Sequence, residues 1–194
     1  MLDRTFWDSR YINNDTGWDI GYPSTPLTNF IDTLKNRQLN ILIPGCGRAY
    51  EAEYLYNKEF KNLTLVDISP TALDEFSKRL PFFPKDKLIV SDFFKHKGKY
   101  DLILEQTFFC AIDPNLRPKY VSHCHDLLTH NGRIVGLLFA EDFGNDHPPF
   151  GGTKDKYQHL FCERFDIEKM EMCNESIEAR QGRELFVSFK KKKL

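Results

Sequence analysis

The sequence lacks several features that would place it outside the ordinary globular class. No apolar run approaches the roughly 18 residues needed to span a bilayer, and the first residues lack the long apolar segment of a signal peptide. The cysteines, at 46, 110, 124, 162 and 173, are odd in number, widely spaced and without a Cys-x-x-Cys pair. That pattern predicts neither a disulfide framework nor a metal site. We therefore expect a protein of the reducing cytoplasm.

An excess of charge of one sign is also missing. The chain carries 27 basic and 28 acidic residues, a net charge of −1, which argues against nucleic acid or an anionic membrane as a partner. The one basic cluster, the lysines at 190–193, is interpreted as a solvated tail. His123 and His125 are two apart in a predicted helix, so they point to different faces and no metal is expected.

The length of 194 residues and a hydrophobic content of 41% predict a single domain over 1–194 with a full core. Apolar segments alternate with amphipathic ones, which is typical of a doubly wound, mostly parallel α/β sheet with an antiparallel hairpin at the end. We expect two long loops, 13–26 and 140–153. The predicted strands are 39–43, 62–67, 87–90, 100–104, 133–139, 165–173 and 184–190, and the predicted helices are 3–13, 25–35, 49–57, one beginning at Ser69-Pro70, and 114–128.

The first strand runs into a glycine turn, and the second ends on a carboxylate. Gly45 and Gly47 lack a Cβ, so their backbone can turn sharply and approach a ligand closely. Asp67 follows about one βα unit later, where an acid can accept hydrogen bonds from a ribose diol. Together these residues predict a nucleoside-containing cofactor at the carboxyl edge of a parallel sheet.

Two sequence features that are missing after the glycine turn indicate which nucleoside cofactor is bound. Tyr50 stands where a dinucleotide fingerprint has its third glycine, and no Gly-Lys-Ser/Thr follows as in a P-loop. S-adenosylmethionine needs only the first turn and the ribose acid, so a methyltransferase is favoured. Two alternatives stay open: a nicotinamide-dependent oxidoreductase, and a non-catalytic protein that binds S-adenosylmethionine.

Six short motifs are spread, in order, over nearly the whole chain: Phe6-Trp7-Asp8-x-Arg10-Tyr11, Gly17-Trp18-Asp19-x-Gly21, Pro44-Gly45-Cys46-Gly47, Asp67-Ile68-Ser69, Thr107-Phe108-Phe109-Cys110-Ala111-Ile112 and Pro148-Pro149-Phe150. These motifs resemble the thiopurine S-methyltransferase family. The motif at 107–112, with 148–150, is closest to the halide/thiol (thiocyanate) methyltransferase branch of that family.

This resemblance implies a class I S-adenosylmethionine-dependent methyltransferase, with a seven-stranded Rossmann-like core at 37–194 and an N-terminal lid at 1–36. Asp67 would hold the ribose, Gly45 would meet the amino-acid end, and Gln106 would contact the methionine portion. Tyr11 stands where the family usually has tryptophan, and a phenol can still cover a cofactor. The cofactor residues implied are Trp7, Tyr11, Trp18, Pro44, Gly45, Gly47, Asp67, Ile68, Asp92, Phe93 and Gln106.

Methyl transfer from a sulfonium needs alignment and an aromatic enclosure more than a strong base. A thiol with a pKa of about 8.5 is already partly ionised at neutral pH, so no catalytic base is named. The acceptor is predicted to be a small soft nucleophile, namely a thiol, thiopurine, bisulfide or halide, and the protein is expected to be a monomer. The substrate-side candidates are Phe108, Phe109, Asp142, His147 and Phe150.

Overall fold

The computed structural model describes residues 2–193, and the chain divides into two compact units between His96 and Lys97. Met1 and Leu194, the two ends of the predicted domain, lie outside the described residues. The single domain with a lid at 1–36 stays a prediction.

The first unit contains three parallel strands and four helices. The strands lie in the order β3-β2-β1, and both β1 and β2 are buried along their whole length. Continuous apolar runs such as these are typical of parallel strands that are covered on both faces. The elements are α1 (Arg4–Ile12), α2 (Thr25–Thr33), β1 (Ile41–Pro44), α3 (Tyr50–Asn57), β2 (Leu63–Asp67), α4 (Pro70–Arg79) and β3 (Leu88–Val90).

Local sequence signals account for where these helices begin. Ser69 caps α4, since its Oγ accepts a hydrogen bond from the Ala72 N–H at 3.1 Å, as the sequence predicts. Pro26 lies in the first turn of α2, where its missing N–H costs nothing. Asp3 caps α1 by accepting from the Phe6 N–H at 3.0 Å.

The second unit combines a parallel pair with an antiparallel extension. β4 and β5 are parallel, β7 is antiparallel to β5, and β6 is antiparallel to β7. The predicted relation of the last two strands is confirmed. The elements are β4 (Tyr100–Gln106), α5 (Arg117–Leu127), β5 (Leu128–Phe139), α6 (Lys154–Phe161), β6 (Phe165–Met172) and β7 (Glu184–Lys191).

The described residues contain seven strands, in the order β3-β2-β1 in the first unit and β4-β5-β7-β6 in the second. Six of the chain's helices flank these strands in sequence, and five of the seven strands are parallel to a neighbour. This confirms the predicted class of a mostly parallel, doubly wound α/β sheet closed by an antiparallel pair.

Four segments of the second unit differ from the sequence prediction. The helix predicted at 114–128 is a 3₁₀ turn at Pro114–Leu116 followed by α5, and the fifth strand begins at Leu128 rather than 133. Helix α6 (Lys154–Phe161) lies where the sequence predicts no helix. The lysines at 190–193 are not simply a solvated tail, because β7 extends to Lys191, whose Nζ donates to the Leu128 carbonyl at 2.9 Å.

Candidate functional site

The glycine turn after β1 adopts the backbone conformation that its sequence predicts. Gly45 and Gly47 both have φ of +53°, a left-handed region that residues with a side chain rarely adopt. A Cβ added to Gly47 would lie 2.7 Å from the Tyr11 hydroxyl oxygen. The turn therefore allows another group to approach its backbone closely, and the Tyr11 side chain of α1 lies against it.

Asp67 ties the ends of β1 and β2 together. Its Oδ2 accepts from the Gly47 N–H and its Oδ1 from the Ser69 N–H, each at 2.8 Å. Burial raises the pKa of the Asp67 carboxyl, while hydrogen bonds from the N–H groups of Ser69, Gly47 and Ile68 act in the opposite direction. A carboxylate has about four lone-pair sites, so Asp67 retains capacity for a hydroxyl donor of a ligand.

The predicted aromatic residues of the first unit form one cluster. Trp18 meets both Trp7 and Tyr11 edge to face, with ring centroids 5.7 and 5.9 Å apart. Tyr11 is buried, and burial followed by the nearby Asp67 charge raises its pKa, so the phenol stays neutral. The three rings lie at the carboxyl ends of β1 and β2, since the Tyr11 hydroxyl lies against Gly47 and the Asp67 charge acts on Tyr11.

Asp8 fixes helix α1 at this edge, and sequence reasoning did not single it out. Its Oδ1 accepts from the Ser69 hydroxyl at 2.6 Å and from the Thr71 N–H at 3.0 Å. These bonds lower the pKa of Asp8 against the opposing effect of desolvation. The only sequence signal was its place in the motif with Trp7 and Tyr11.

The remaining cofactor candidates of the first unit lie at the ends of its strands. Pro44 ends β1, and Ile68 follows β2 directly. Asp92 follows β3 and caps a 3₁₀ turn, accepting from the Phe94 N–H at 2.9 Å. Phe93 is buried in that turn. These placements agree with positions at one sheet edge, and the roles of these residues at a cofactor stay predictions.

In the second unit, Gln106 ends β4. Its Oε1 is buried, and among residues 2–193 no hydrogen-bond partner meets it. An unpaired buried carbonyl oxygen costs free energy unless a ligand or water supplies a donor. This orphaned acceptor fits the donor groups of a cofactor's methionine portion.

Glu105, the residue before Gln106, organises the segment that follows β4. Its Oε1 accepts from the N–H groups of Phe108 and Phe109, each at 2.9 Å, and its Oε2 from the Tyr120 hydroxyl at 3.1 Å. Burial raises the pKa of Glu105 to about 7. Sequence reasoning missed this residue, although an acid at the end of an apolar strand was a signal.

Of the two phenylalanines predicted on the substrate side, Phe109 is 1% exposed. Its ring packs against Tyr120, Tyr157 and Phe161 at centroid distances of 5.1 to 5.9 Å, which supports a packing role. Phe108 is half-buried, with its ring 6.1 Å from that of Tyr120.

The long predicted loop leads to a cleft in the second unit. Asp142 and Phe150 line this cleft of about 300 Å³, together with Arg117, Lys156 and Tyr157. Lys156 Nζ lies 2.7 Å from Asp142 Oδ2 and lowers the pKa of that carboxyl. Phe108, Phe109 and His147 are not among the lining residues; His147 is exposed, with its Nδ1 2.9 Å from the Pro148 carbonyl.

Arg117 holds the end of this loop in place. Its Nη1 and Nη2 donate to the carbonyls of Gly151 and Phe150, both at 3.0 Å, and its guanidinium lies 4.5 Å from the Phe109 ring centroid. Within residues 2–193, no group of three or more His, Cys, Asp or Glu side chains could hold a metal ion. No helix in the described range is long and apolar enough to cross a membrane.

Thiol or thiocyanate methyltransferases and thiopurine S-methyltransferases resemble this sequence. A probable thiol methyltransferase of Arabidopsis thaliana is 28% identical, covering 79% of this chain and 70% of the relative. A thiocyanate methyltransferase of Brassica oleracea is 26% identical, over 95% and 84%. A thiopurine S-methyltransferase of Vibrio vulnificus is 27% identical, over 84% and 82%.

Two methyltransferases are among the solved structures that this chain resembles. A 1,6-didemethyltoxoflavin-N1-methyltransferase of Burkholderia thailandensis, with bound S-adenosylhomocysteine, matches with a TM-score of 0.80 at 17% identity, covering 98% of this chain and 87% of the other. A TehB-like methyltransferase of Corynebacterium glutamicum matches with a TM-score of 0.69 at 19% identity, covering 97% and 98%. At these identities the likeness establishes the fold.

A family model covers almost the whole sequence and separates the methyltransferase from the oxidoreductase. It is that of thiopurine S-methyltransferase, and it matches residues 2–193. The match favours the methyltransferase over the nicotinamide-dependent oxidoreductase, and it agrees with the glycine turn, Asp67 and the aromatic cluster. The chain therefore belongs to the thiopurine S-methyltransferase family of S-adenosylmethionine-dependent methyltransferases.

Proposed function

We propose that this enzyme transfers the methyl group of S-adenosylmethionine to a small soft nucleophile, namely a thiol, a thiopurine, bisulfide or a halide. The observation that carries the proposal is the juxtaposition of Tyr11, Gly47 and Asp67, in which the Tyr11 hydroxyl would lie 2.7 Å from a Cβ on Gly47 and Gly47 donates to Asp67. Relatives named for thiol, thiocyanate and thiopurine methylation support this acceptor class.

The proposed cofactor contacts follow from the chemistry of each residue. Asp67 accepts from the ribose hydroxyls, and the Gly45 and Gly47 backbone admits the amino-acid end. Trp7, Tyr11 and Trp18 cover the sulfonium, which each well-placed ring stabilises by about 0.5–2 kcal/mol. The adenine contacts are assigned to Asp92 and Phe93, beside Pro44 and Ile68, and the methionine contact to the orphaned Gln106 oxygen.

When bound, S-adenosylmethionine supplies an electrophilic methyl carbon. The protein's task is then to exclude water and to hold an acceptor in line with that carbon. Asp142 is held as a carboxylate by Lys156, which argues against its use as a proton acceptor. We assign acceptor contacts to Phe108 and Phe150. Phe109, Asp142 and His147 have less structural support as acceptor contacts. We name no catalytic base, since soft nucleophiles of this class are anionic or readily ionised.

Calorimetry and turnover together test this proposal. We expect S-adenosylhomocysteine to bind with micromolar affinity and NADH not to compete with it. We also expect methylated product from at least one member of a panel that contains aliphatic and aromatic thiols, a thiopurine, bisulfide and iodide. Absence of S-adenosylhomocysteine binding at high micromolar concentration would defeat the proposal. Binding without turnover across the panel would leave the non-catalytic binding protein as the correct interpretation.

We infer that the enzyme acts as a monomer in the cytoplasm on small molecules rather than on nucleic acid. The five cysteines have free thiols, which supports a reducing compartment. The net charge of −1 offers no general attraction for a polyanion. Fractionation of the native cells and light scattering of the purified protein are the measurements that decide these two points.

A further inference from the structure

Arg48, the residue after Gly47, connects two segments that are far apart in sequence. Its Nη1 donates to Asp19 Oδ2 at 2.6 Å, and its Nε donates to Glu75 Oε2 at 2.7 Å. Asp19 lies in the loop at 13–24, between α1 and α2, whereas Glu75 lies on helix α4. The same guanidinium reaches two further oxygens of the loop, Thr16 Oγ1 at 3.5 Å and Asn14 Oδ1 at 3.3 Å.

The low exposure of the Arg48 ion pairs and the planar shape of the guanidinium both strengthen them. The Asp19 side chain is 11% exposed and the Arg48 side chain 22%, so bulk ions screen the pair less than a fully exposed one. A planar guanidinium can hold two carboxylates on different edges, whereas a lysine ammonium is a single point charge. The two acids also raise the pKa of Arg48, with the Glu75 hydrogen bond as the largest cause.

The loop that Arg48 holds carries Trp18, and Asp19 is its next residue. Trp18 in turn packs edge to face on Trp7 and Tyr11. A second bond within the loop, from the Gly21 N–H to Asp19 Oδ1 at 2.8 Å, makes Asp19 rigid with respect to the chain that follows. The position of the Trp18 ring is therefore coupled to the guanidinium through a short, well-bonded path.

We propose that Arg48 is a positioning residue that locks the Trp18 loop against the glycine turn and so keeps the aromatic cluster closed. The proposal rests on the proposed function only for its effect on the cofactor, since closure of the cluster can be observed without any ligand. Arg48 itself acts through Asp19 and Trp18. Its loss opens the cluster, lets water reach Trp18 and speeds release of a nucleoside ligand.

The chain's tryptophan content provides a specific readout. It has two tryptophans, Trp7 and Trp18, and both belong to the cluster. Tryptophan fluorescence, excited at wavelengths that tyrosine does not absorb, therefore reports on the cluster alone. We expect Arg48→Met to shift the ligand-free emission to longer wavelength and to increase quenching by acrylamide. Asp19→Asn, which removes the charge but keeps the shape, should produce the same change, and Arg48→Lys a smaller one.

A matched control separates this effect from the loss of any arginine–glutamate pair. Arg133 Nη1 lies 3.0 Å from Glu168 Oε2 between two strands of the second unit, so Arg133→Met removes a comparable pair elsewhere. Its tryptophan emission should equal that of the wild type. For S-adenosylhomocysteine we expect about tenfold weaker binding by Arg48→Met, mostly as faster dissociation, and unchanged binding by Arg133→Met.

Salt gives an independent test on the wild-type protein. Raising NaCl from about 0.05 to 1 M should weaken S-adenosylhomocysteine binding in the wild type but hardly in Arg48→Met, because only the former has the ion pair to screen. If Arg48→Met keeps wild-type emission and quenching, the positioning role is wrong. The ion pairs of Arg48 then form only a surface network that does not affect the aromatic cluster. If the wild type does not bind S-adenosylhomocysteine, the proposed function fails, and the fluorescence comparison still decides the role of Arg48.

Discussion

Gly47→Ala combines a backbone cost with a contact cost, and the structure allows the two to be separated. With φ at +53°, an alanine at this position costs about 1–2 kcal/mol in backbone strain. Its Cβ would also lie 2.7 Å from the Tyr11 hydroxyl, 0.7 Å inside the 3.4 Å limit of an ordinary contact. The phenol is the end of a side chain and can move, so the second cost falls on the cluster rather than on the fold.

Gly182→Ala is the matched control for this substitution. Gly182 has φ of +72°, and a Cβ there meets nothing within 4 Å, so it incurs the backbone cost alone. For chains of this length, each kcal/mol lowers Tm by about 2–4 °C. We therefore expect similar decreases in Tm for both variants, measured by circular dichroism.

Affinity for S-adenosylhomocysteine should differ between the two variants. In Gly47→Ala, a methyl group occupies the turn and pushes Tyr11 aside, so we expect at least tenfold weaker binding, or about 1.4 kcal/mol. Gly182→Ala should bind like the wild type in the same calorimetric titration. Equal affinities in the two variants would refute the assignment of Gly47 to the cofactor site. A much larger decrease in Tm for Gly47→Ala would mean that Tyr11 cannot yield and that the contact is structural.

Three further substitutions test other parts of the two units. Asp67→Ala should weaken S-adenosylhomocysteine binding by about 1–3 kcal/mol through lost charge-assisted hydrogen bonds. The control Asp15→Ala, which removes an exposed acid, should leave binding unchanged. Unchanged affinity of Asp67→Ala in calorimetry would show that the ribose assignment is wrong. Burial raises the pKa of Glu105 from 4.5 to about 7, so the folded state binds the Glu105 proton more tightly than the unfolded state does. The stabilising contribution of protonated Glu105 is therefore complete below pH 4.5 and is lost as the pH rises to 7. Urea unfolding should therefore show wild-type stability falling relative to Glu105→Gln by roughly 3 kcal/mol over that interval, and parallel pH profiles would contradict the shift. Arg117→Met should lower the free energy of unfolding by about 2 kcal/mol and increase hydrogen exchange in the loop at 142–151, since the carbonyls of Phe150 and Gly151 lose their charged donor; unaltered exchange would show that the loop is held by other contacts.

Family motifs and strand patterns predicted the general location of the site, but not the bonds that build it. Asp67 was expected to face a ribose, and the structure adds that the same carboxylate fixes the turn through Gly47 and Ser69. Arg48, Asp8 and Glu105 were not predicted as organising residues. Each acts on a partner that local sequence patterns do not identify, such as Ser69 for Asp8, 61 residues away.

Helix α6 and the early start of β5 were missed for a different reason. α6 has only eight residues, and such a short segment is marginal by itself, so its formation depends on packing. Its Tyr157 and Phe161, one turn apart, are buried in the aromatic core of the second unit. The start of β5 contains the polar residues Thr129 to Asn131, which become a strand because Leu128 pairs with Tyr100.

By itself, the sequence determined the features that depend on near neighbours along the chain. Apolar runs specified β1 and β2, paired glycines specified a left-handed turn, and Ser69 specified the start of α4, because propensity, capping and conformational freedom act within a few residues. Tertiary structure alone decided which donors meet Asp67, which acids meet Arg48 and how deeply Glu105 is buried. Those outcomes depend on segments 15 to 61 residues apart being brought into contact. Hydrogen bonding and desolvation take effect only after that packing exists.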